Sequence, residues 1–183
     1  MKSLRILHLL PALAFAAGAA SLHAQTAGQV ATGVDSISII SITGSAPTVT
    51  MSSSNTDAGK LPGNTGATVG VSNAEGTAPV LRITNNVTPD RKITARLSAG
   101  TEVTGSQLTV KLGTHSGSNT FVDNTVTLTS TDQDFITGIG AMGSDTLDPT
   151  GLPLIYTFRS NAAVPAPTAA VTLTVTYTIT AGS

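Results

Sequence analysis

From Val171 to Thr180 the chain alternates without a fault, Val171, Leu173, Val175, Tyr177 and Ile179 against Thr172, Thr174, Thr176, Thr178 and Thr180. A period of two marks a β-strand, whose successive side chains point to opposite faces. The segment predicts a strand with its oily face on a core and its threonines toward water.

The same pattern recurs upstream. Ile93, Ala95 and Leu97 alternate with Thr94, Arg96 and Ser98, and Leu108, Val110 and Leu112 stand around Thr109 and Lys111. Val126 and Leu128 are flanked by Thr125, Thr127 and Thr129, and Leu154, Tyr156 and Phe158 share a face of Leu154–Ser160. Shorter strands are expected at Ala67–Ser72, Pro79–Thr84 and Phe135–Gly140, and Pro47 opens a run with Val49 and Met51 inward. Within Asp35–Thr43, Ile37 and Ile39 share one parity and Ile40 and Ile42 the other. A bulge, or a switch from one sheet to the other, is expected between Ile39 and Ile40.

Between these runs lie dense clusters of Gly, Ser, Asn, Asp and Pro at Ser52–Gly66, Asn85–Arg91 and Gly113–Thr120, and a Pro- and Ala-rich connector at Ala162–Pro167. Such clusters are loops and turns. Roughly nine or ten strands without a helix predict an all-β fold, an immunoglobulin-like or pilin-like antiparallel β-sandwich. Threonine suits it, being β-branched for the strand and hydroxylic for water. No fixed-length repeat is present, which argues against propellers and solenoids.

The N-terminus departs from this pattern. Lys2 and Arg5 precede an apolar run from Ile6 to Ala20, followed by Ser21-Leu22-His23-Ala24. A basic start, a short apolar stretch and a small residue at the expected cut predict a signal peptide over residues 1–24. Residues 25–33 read as a flexible leader and 34–183 as a single sandwich domain, large enough to bury a core without staples. The expected location is secreted, in the periplasm or on the extracellular surface of a bacterial cell, with no transmembrane segment after cleavage.

Composition narrows the chemistry. Of the nine lysines and arginines, two are Lys2 and Arg5, so the exported part carries seven against ten acidic residues, all scattered. Without a basic stripe, nucleic acid and anionic lipid are not expected partners. Cysteine is absent from the sequence, which removes thiol nucleophiles, thiolate zinc sites and cysteine-held iron–sulfur clusters. Tryptophan is absent too, which counts against an aromatic sugar-stacking platform.

Of the three histidines only His115 lies beyond the signal peptide, between Thr114 and Ser116. A Ser-His-Asp hydrolase would have to use it, yet no G-x-S-x-G elbow accompanies it; the expectation is a solvated loop residue. Asp132, Asp134, Asp145 and Asp148 could converge at one end of the sandwich and offer oxygens to calcium. Their spacing does not match the calcium-loop pattern, and turn-forming aspartates are the simpler account. No pair of carboxyls is singled out as a glycosidase would need. Asn86-Val87-Thr88 satisfies the N-x-[ST] acceptor pattern, which is read as chance in a chain whose signal peptide and composition look bacterial. Gly138, Gly140 and Gly143 lack the following helix that a phosphate loop needs, since Pro149 and Pro153 intervene; a turn at a sheet corner is expected instead.

Three segments, Arg91-Lys92-Ile93-Thr94-Ala95-Arg96-Leu97, Phe135–Gly140 with Leu154–Phe158, and Val171–Ile179, resemble strands of a group of uncharacterised secreted bacterial β-sandwich proteins. The closing strand is more distantly similar to those of spore-coat-U-like and fimbrial subunits. The resemblance covers about half of the exported chain, from Arg91 onward, and implies a structural role in the envelope or outside the cell; it carries no catalytic residues. The chain departs from chaperone–usher pilins in lacking cysteine and in offering only Val30 as a large apolar residue within Gln25–Gly33.

The expected function is a non-enzymatic, secreted or cell-surface structural protein, a fimbria-like or surface-assembly subunit without cofactor. It would self-associate through edge strands and meet envelope or extracellular components. One alternative is an adhesin or ligand-binding module using the loops Ser52–Gly66 and Gly113–Thr120. The other is a secreted hydrolase using His115 or the four aspartates.

Overall fold

The computed structural model describes residues 34–115, 121–143, 151–162 and 171–182. The expected signal peptide over residues 1–24, the expected leader Gln25–Gly33, Asp145, Asp148, the second half of the Gly113–Thr120 loop and most of the Ala162–Pro167 connector lie outside them. Ser36–Ser183 forms one unit. Among the described residues the strands are β1 (Ser38–Thr43), β2 (Val71–Ser72), β3 (Val80–Asn85), β4 (Arg91–Ala99), β5 (Ser106–Leu112), β6 (Val122–Asp123), β7 (Val126–Thr127), β8 (Gln133–Ile139), β9 (Met142–Gly143), β10 (Leu152–Ser160) and β11 (Thr174–Ala181).

They form two antiparallel sheets, an all-β sandwich as the alternation predicts. The first runs β1-β3-β10-β5-β7, with β2 beside β10 and β9 beside β3; the second runs β11-β4-β8-β6. Between them lies one apolar cluster fed by Leu81 and Ile83 of β3, Ile93 and Ala95 of β4, Val110 and Leu112 of β5, and Leu152, Leu154 and Tyr156 of β10. These are the alternate positions of each strand. Each fully buried leucine, isoleucine or phenylalanine contributes roughly 1.5–3 kcal/mol, the main favourable term in a chain without disulfides.

β8 breaks the period of two. Phe135 and Ile136 are adjacent, yet both are fully buried, as is Ile139. The register explains this: Thr94 pairs with Asp134, Ile93 with Ile136 and Arg91 with Ile139, so β8 twice carries one residue more than β4. Each extra residue is a bulge that turns the following side chain back toward the core. Gly138 lies within the second, at φ +69°, a conformation costly for any residue with a Cβ.

Other elements differ from the alternation. β1 holds an unbroken register with β3, from Ser38 opposite Asn85 to Thr43 opposite Val80, so no bulge or sheet switch separates Ile39 from Ile40. Ile39 instead points outward and is 60% exposed; on an edge strand, one apolar residue can face water without breaking the ladder. The strand expected at Ala67–Ser72 shrinks to β2, and the closing strand starts at Thr174, leaving Val171 exposed. The short β6, β9 and the chain's crossing between sheets have no counterpart in the pattern.

Asn85, expected in a turn, ends β3 and is buried. Its Nδ2 donates to the carbonyls of Ile139 at 3.1 Å and Gly140 at 3.0 Å, just where the chain leaves β8 in one sheet for β9 in the other. The side chain thereby serves backbone acceptors that the crossing frees from the ladder. Of the three glycines of this stretch, Gly140 stands at the crossing, while Gly138 lies inside β8 and Gly143 inside β9.

Candidate functional site

Two pairs of opposite charges meet on the outer face of the second sheet. Lys92, Thr94 and Arg96 are alternate residues of β4, and the β4–β8 register sets Thr94 beside Asp134. Lys92 Nζ reaches Asp134 Oδ1 at 2.9 Å, and Arg96 Nε stands 3.6 Å from Asp132 Oδ1. Both aspartate side chains are about half exposed, so each pair is worth about 0–1 kcal/mol. Thr94 is buried on this outer face, hemmed in by Lys92 and Arg96 along its strand and by Thr178 and Asp134 across it.

Asp132 and Asp134 each face a different cation, Arg96 and Lys92 respectively. Calcium needs six to eight oxygens; among the described residues no group of three or more His, Cys, Asp or Glu side chains converges. Asp145 and Asp148 lie outside the described residues.

His115 is half-buried. Its ring packs against Phe121, centroids 5.6 Å apart and tilted by 37°, and its Nδ1 has no hydrogen-bond partner among the described residues. The neighbouring Thr114 amide donates to Glu75 Oε1, tying the root of the loop to the short 3-10 turn Glu75–Thr77. Beside this contact lies an open depression floored by Ile155 and rimmed by Asn73, Glu75, Lys111 and Thr114. Asn73 is committed to structure: its Oδ1 accepts from the Tyr156 amide at 2.7 Å and its Nδ2 donates to Leu154 O at 3.2 Å.

The loop expected at Ser52–Gly66 braces itself. Asp57 Oδ2 accepts from the Gly66 amide at 2.6 Å, Thr56 Oγ1 from Gly63 at 2.9 Å, and Asn64 Oδ1 from Gly70 at 2.9 Å. Asn64 also bridges to Val69. The result is a fixed projection with Ala67, Thr68 and Val69 exposed at its tip. Asn86 of the acceptor motif holds β1 in place: Oδ1 accepts from the Ile37 amide at 2.6 Å, and its own amide donates to Ile37 O at 2.9 Å.

The outer face of the first sheet carries polar rows. Arg159 Nε donates to Gln107 Oε1 at 2.8 Å, and Gln107 Nε2 to Thr127 Oγ1 at 3.2 Å, crossing β10, β5 and β7. Ser72 and Thr157 hydroxyls pair at 2.7 Å.

Inside, Tyr156 of β10 and Tyr177 of β11 bring their hydroxyls to 2.8 Å. Burial raises the pKa of both phenols, and for Tyr177 the adjacent Tyr156 raises it further. Sequence reasoning saw two inward tyrosines but not their meeting, which needs the order of strands in both sheets. No helix among the described residues is long and apolar enough to cross a membrane.

No protein-family model, curated protein or solved structure matches the chain.

Proposed function

We propose that the chain is an exported structural protein of a bacterial envelope or cell surface, a fimbria-like or surface-assembly subunit that acts by associating with itself rather than by catalysis. One observation carries this reading. The two sheets end in β1 and β11, strands of six and eight residues without a charged side chain, and these two edges lie against each other. Long uncharged edges offer unpaired amides and carbonyls to another chain. The basic and apolar N-terminus and the resemblance of the closing strand to fimbrial subunits support it, as does the engagement of Asp132 and Asp134 with cations.

Fractionation of producing cells tests the proposal. The protein is expected in the envelope or medium, in assemblies larger than a monomer; a cytosolic, monomeric protein would contradict it.

A second reading, a binding module of the adhesin kind, is favoured by the self-braced loop carrying Thr68 and Val69. A glycan and matrix array separates the two: selective binding lost on replacing Ala67–Val69 supports the module.

A further inference from the structure

The two flanks of the sandwich are unequal. One ends in β6 and β7, two residues each; the other ends in β1 and β11. Proteins blunt sheet edges with short strands, charges, prolines or bulges. β6 and β7 are short, and β11 is bulged at Thr174/Val175. β1, Ser38-Ile39-Ile40-Ser41-Ile42-Thr43, has none of these devices, and its register with β3 is unbroken. It also exposes two large apolar side chains, Ile39 at 60% and Ile42 at 44%.

We propose that β1 is the seam of a homodimer in which two copies pair their β1 strands antiparallel about a two-fold axis at Ser41. The proposal rests on the assembly reading above and names its contact.

The occupant follows from self-complementarity. A two-fold axis normal to the sheet sets residues of the same face opposite each other, so paired positions must share parity. Centred on Ser41, the register places Ile40 against Ile42 of the second copy, twice, on the core-facing side, and Ile39 against Thr43 on the outer side. The exposed Ile42 is thereby covered by an isoleucine that already packs on the core. No charge opposes a like charge, because β1 has none. Centring on Ile40 would instead set Ile42 against Ser38 and Ile39 against Ser41, so that neither exposed isoleucine meets an apolar side chain, whereas the Ser41 register leaves only Ile39 beside a hydroxyl. One strand pair of this length buries well under the roughly 1,200 Å² of a standard interface. The dimer is therefore weak in dilute solution and favoured where copies are concentrated on a surface.

The absence of cysteine makes the test clean. Opposed Cα atoms in an antiparallel pair lie about 4.5–5.5 Å apart, within disulfide reach. In the exported protein, Ser41→Cys is expected to form a covalent dimer under mild oxidation, at least tenfold faster than Ile39→Cys, whose thiols would stand on the order of 13 Å apart. Ile42→Lys is expected to weaken dimerisation at least tenfold, with unchanged circular dichroism.

Equal cross-linking of Ser41→Cys and of Ser130→Cys, on a remote exposed loop, would mean random collision and overturn the seam. Faster cross-linking of Ile39→Cys would mean another register and also overturn it. If the parent protein dimerises but Ser41→Cys does not cross-link, association runs through another edge: the seam fails and the assembly reading stands. A parent monomeric at every concentration removes both. A monomer in which the β1 amides that do not bond to β3 are nonetheless protected from exchange would assign the edge to a strand of its own chain, and likewise overturn the seam.

Discussion

The hydroxyls of Tyr156 and Tyr177 meet 2.8 Å apart, one from β10 in the first sheet and the other from β11, the edge of the second. Phe135 of β8 packs on Tyr177, ring centroids 5.6 Å apart. The contact joins the central strand of one sheet to the edge strand of the other. Removing one hydroxyl leaves the other without this partner in a largely buried setting, which costs about 1–3 kcal/mol. Tyr177→Phe is therefore expected to lower unfolding stability by that amount in urea titrations. The double variant with Tyr156→Phe should lose less than the sum of the singles, the coupling that a double-mutant cycle measures.

The same pair sets a pH response. Both phenols are raised above the ordinary value of 10.0 in the folded protein, chiefly by burial. The raised groups contribute stability that is fully present below pH 10. Above it the unfolded chain ionises before the folded one, so stability falls as pH rises, by at most about 1.4 kcal/mol per pH unit for each tyrosine still protonated in the folded protein. Unfolding free energies across the alkaline range should show this decline beginning near pH 10, and Tyr177→Phe should make it shallower.

Asn85 closes the passage from β8 to β9. Asn85→Ala strips the Ile139 and Gly140 carbonyls of their donor and should cost about 1–3 kcal/mol. Asn85→Asp should cost more, because it replaces the donor amide with a buried charge facing carbonyl oxygens. Thermal unfolding of both variants checks the order.

The ion pairs on the outer face should matter little. Asp134→Asn is expected to change stability by less than about 1 kcal/mol, and millimolar calcium should leave the melting temperature of the parent unmoved. A calcium-dependent rise abolished in Asp134→Asn would identify a metal site where Lys92 is now the partner.

The strands were legible wherever one face is buried and the other wet, because that asymmetry writes a period of two into the chain. β4, β5, β10 and the body of β11 follow it. It failed at Phe135 and Ile136, where bulges carry adjacent residues to one face, and at Ile39, where an edge strand tolerates an apolar residue outside. Asn85 was hidden because its role depends on acceptors more than fifty residues away. Strands of two residues, such as β6 and β9, are too short to show any period. Asp132 and Asp134 stand out in the sequence only among four aspartates, because their partners Arg96 and Lys92 come from a different strand and only the register brings them together.

Sedimentation of the purified protein over a wide range of concentration tests the central claim most directly. The weight-average mass should rise from monomer to dimer and beyond as concentration increases, and Ile42→Lys should displace the rise to higher concentration. A single monomeric species throughout, with the parent and the variant indistinguishable, would contradict it.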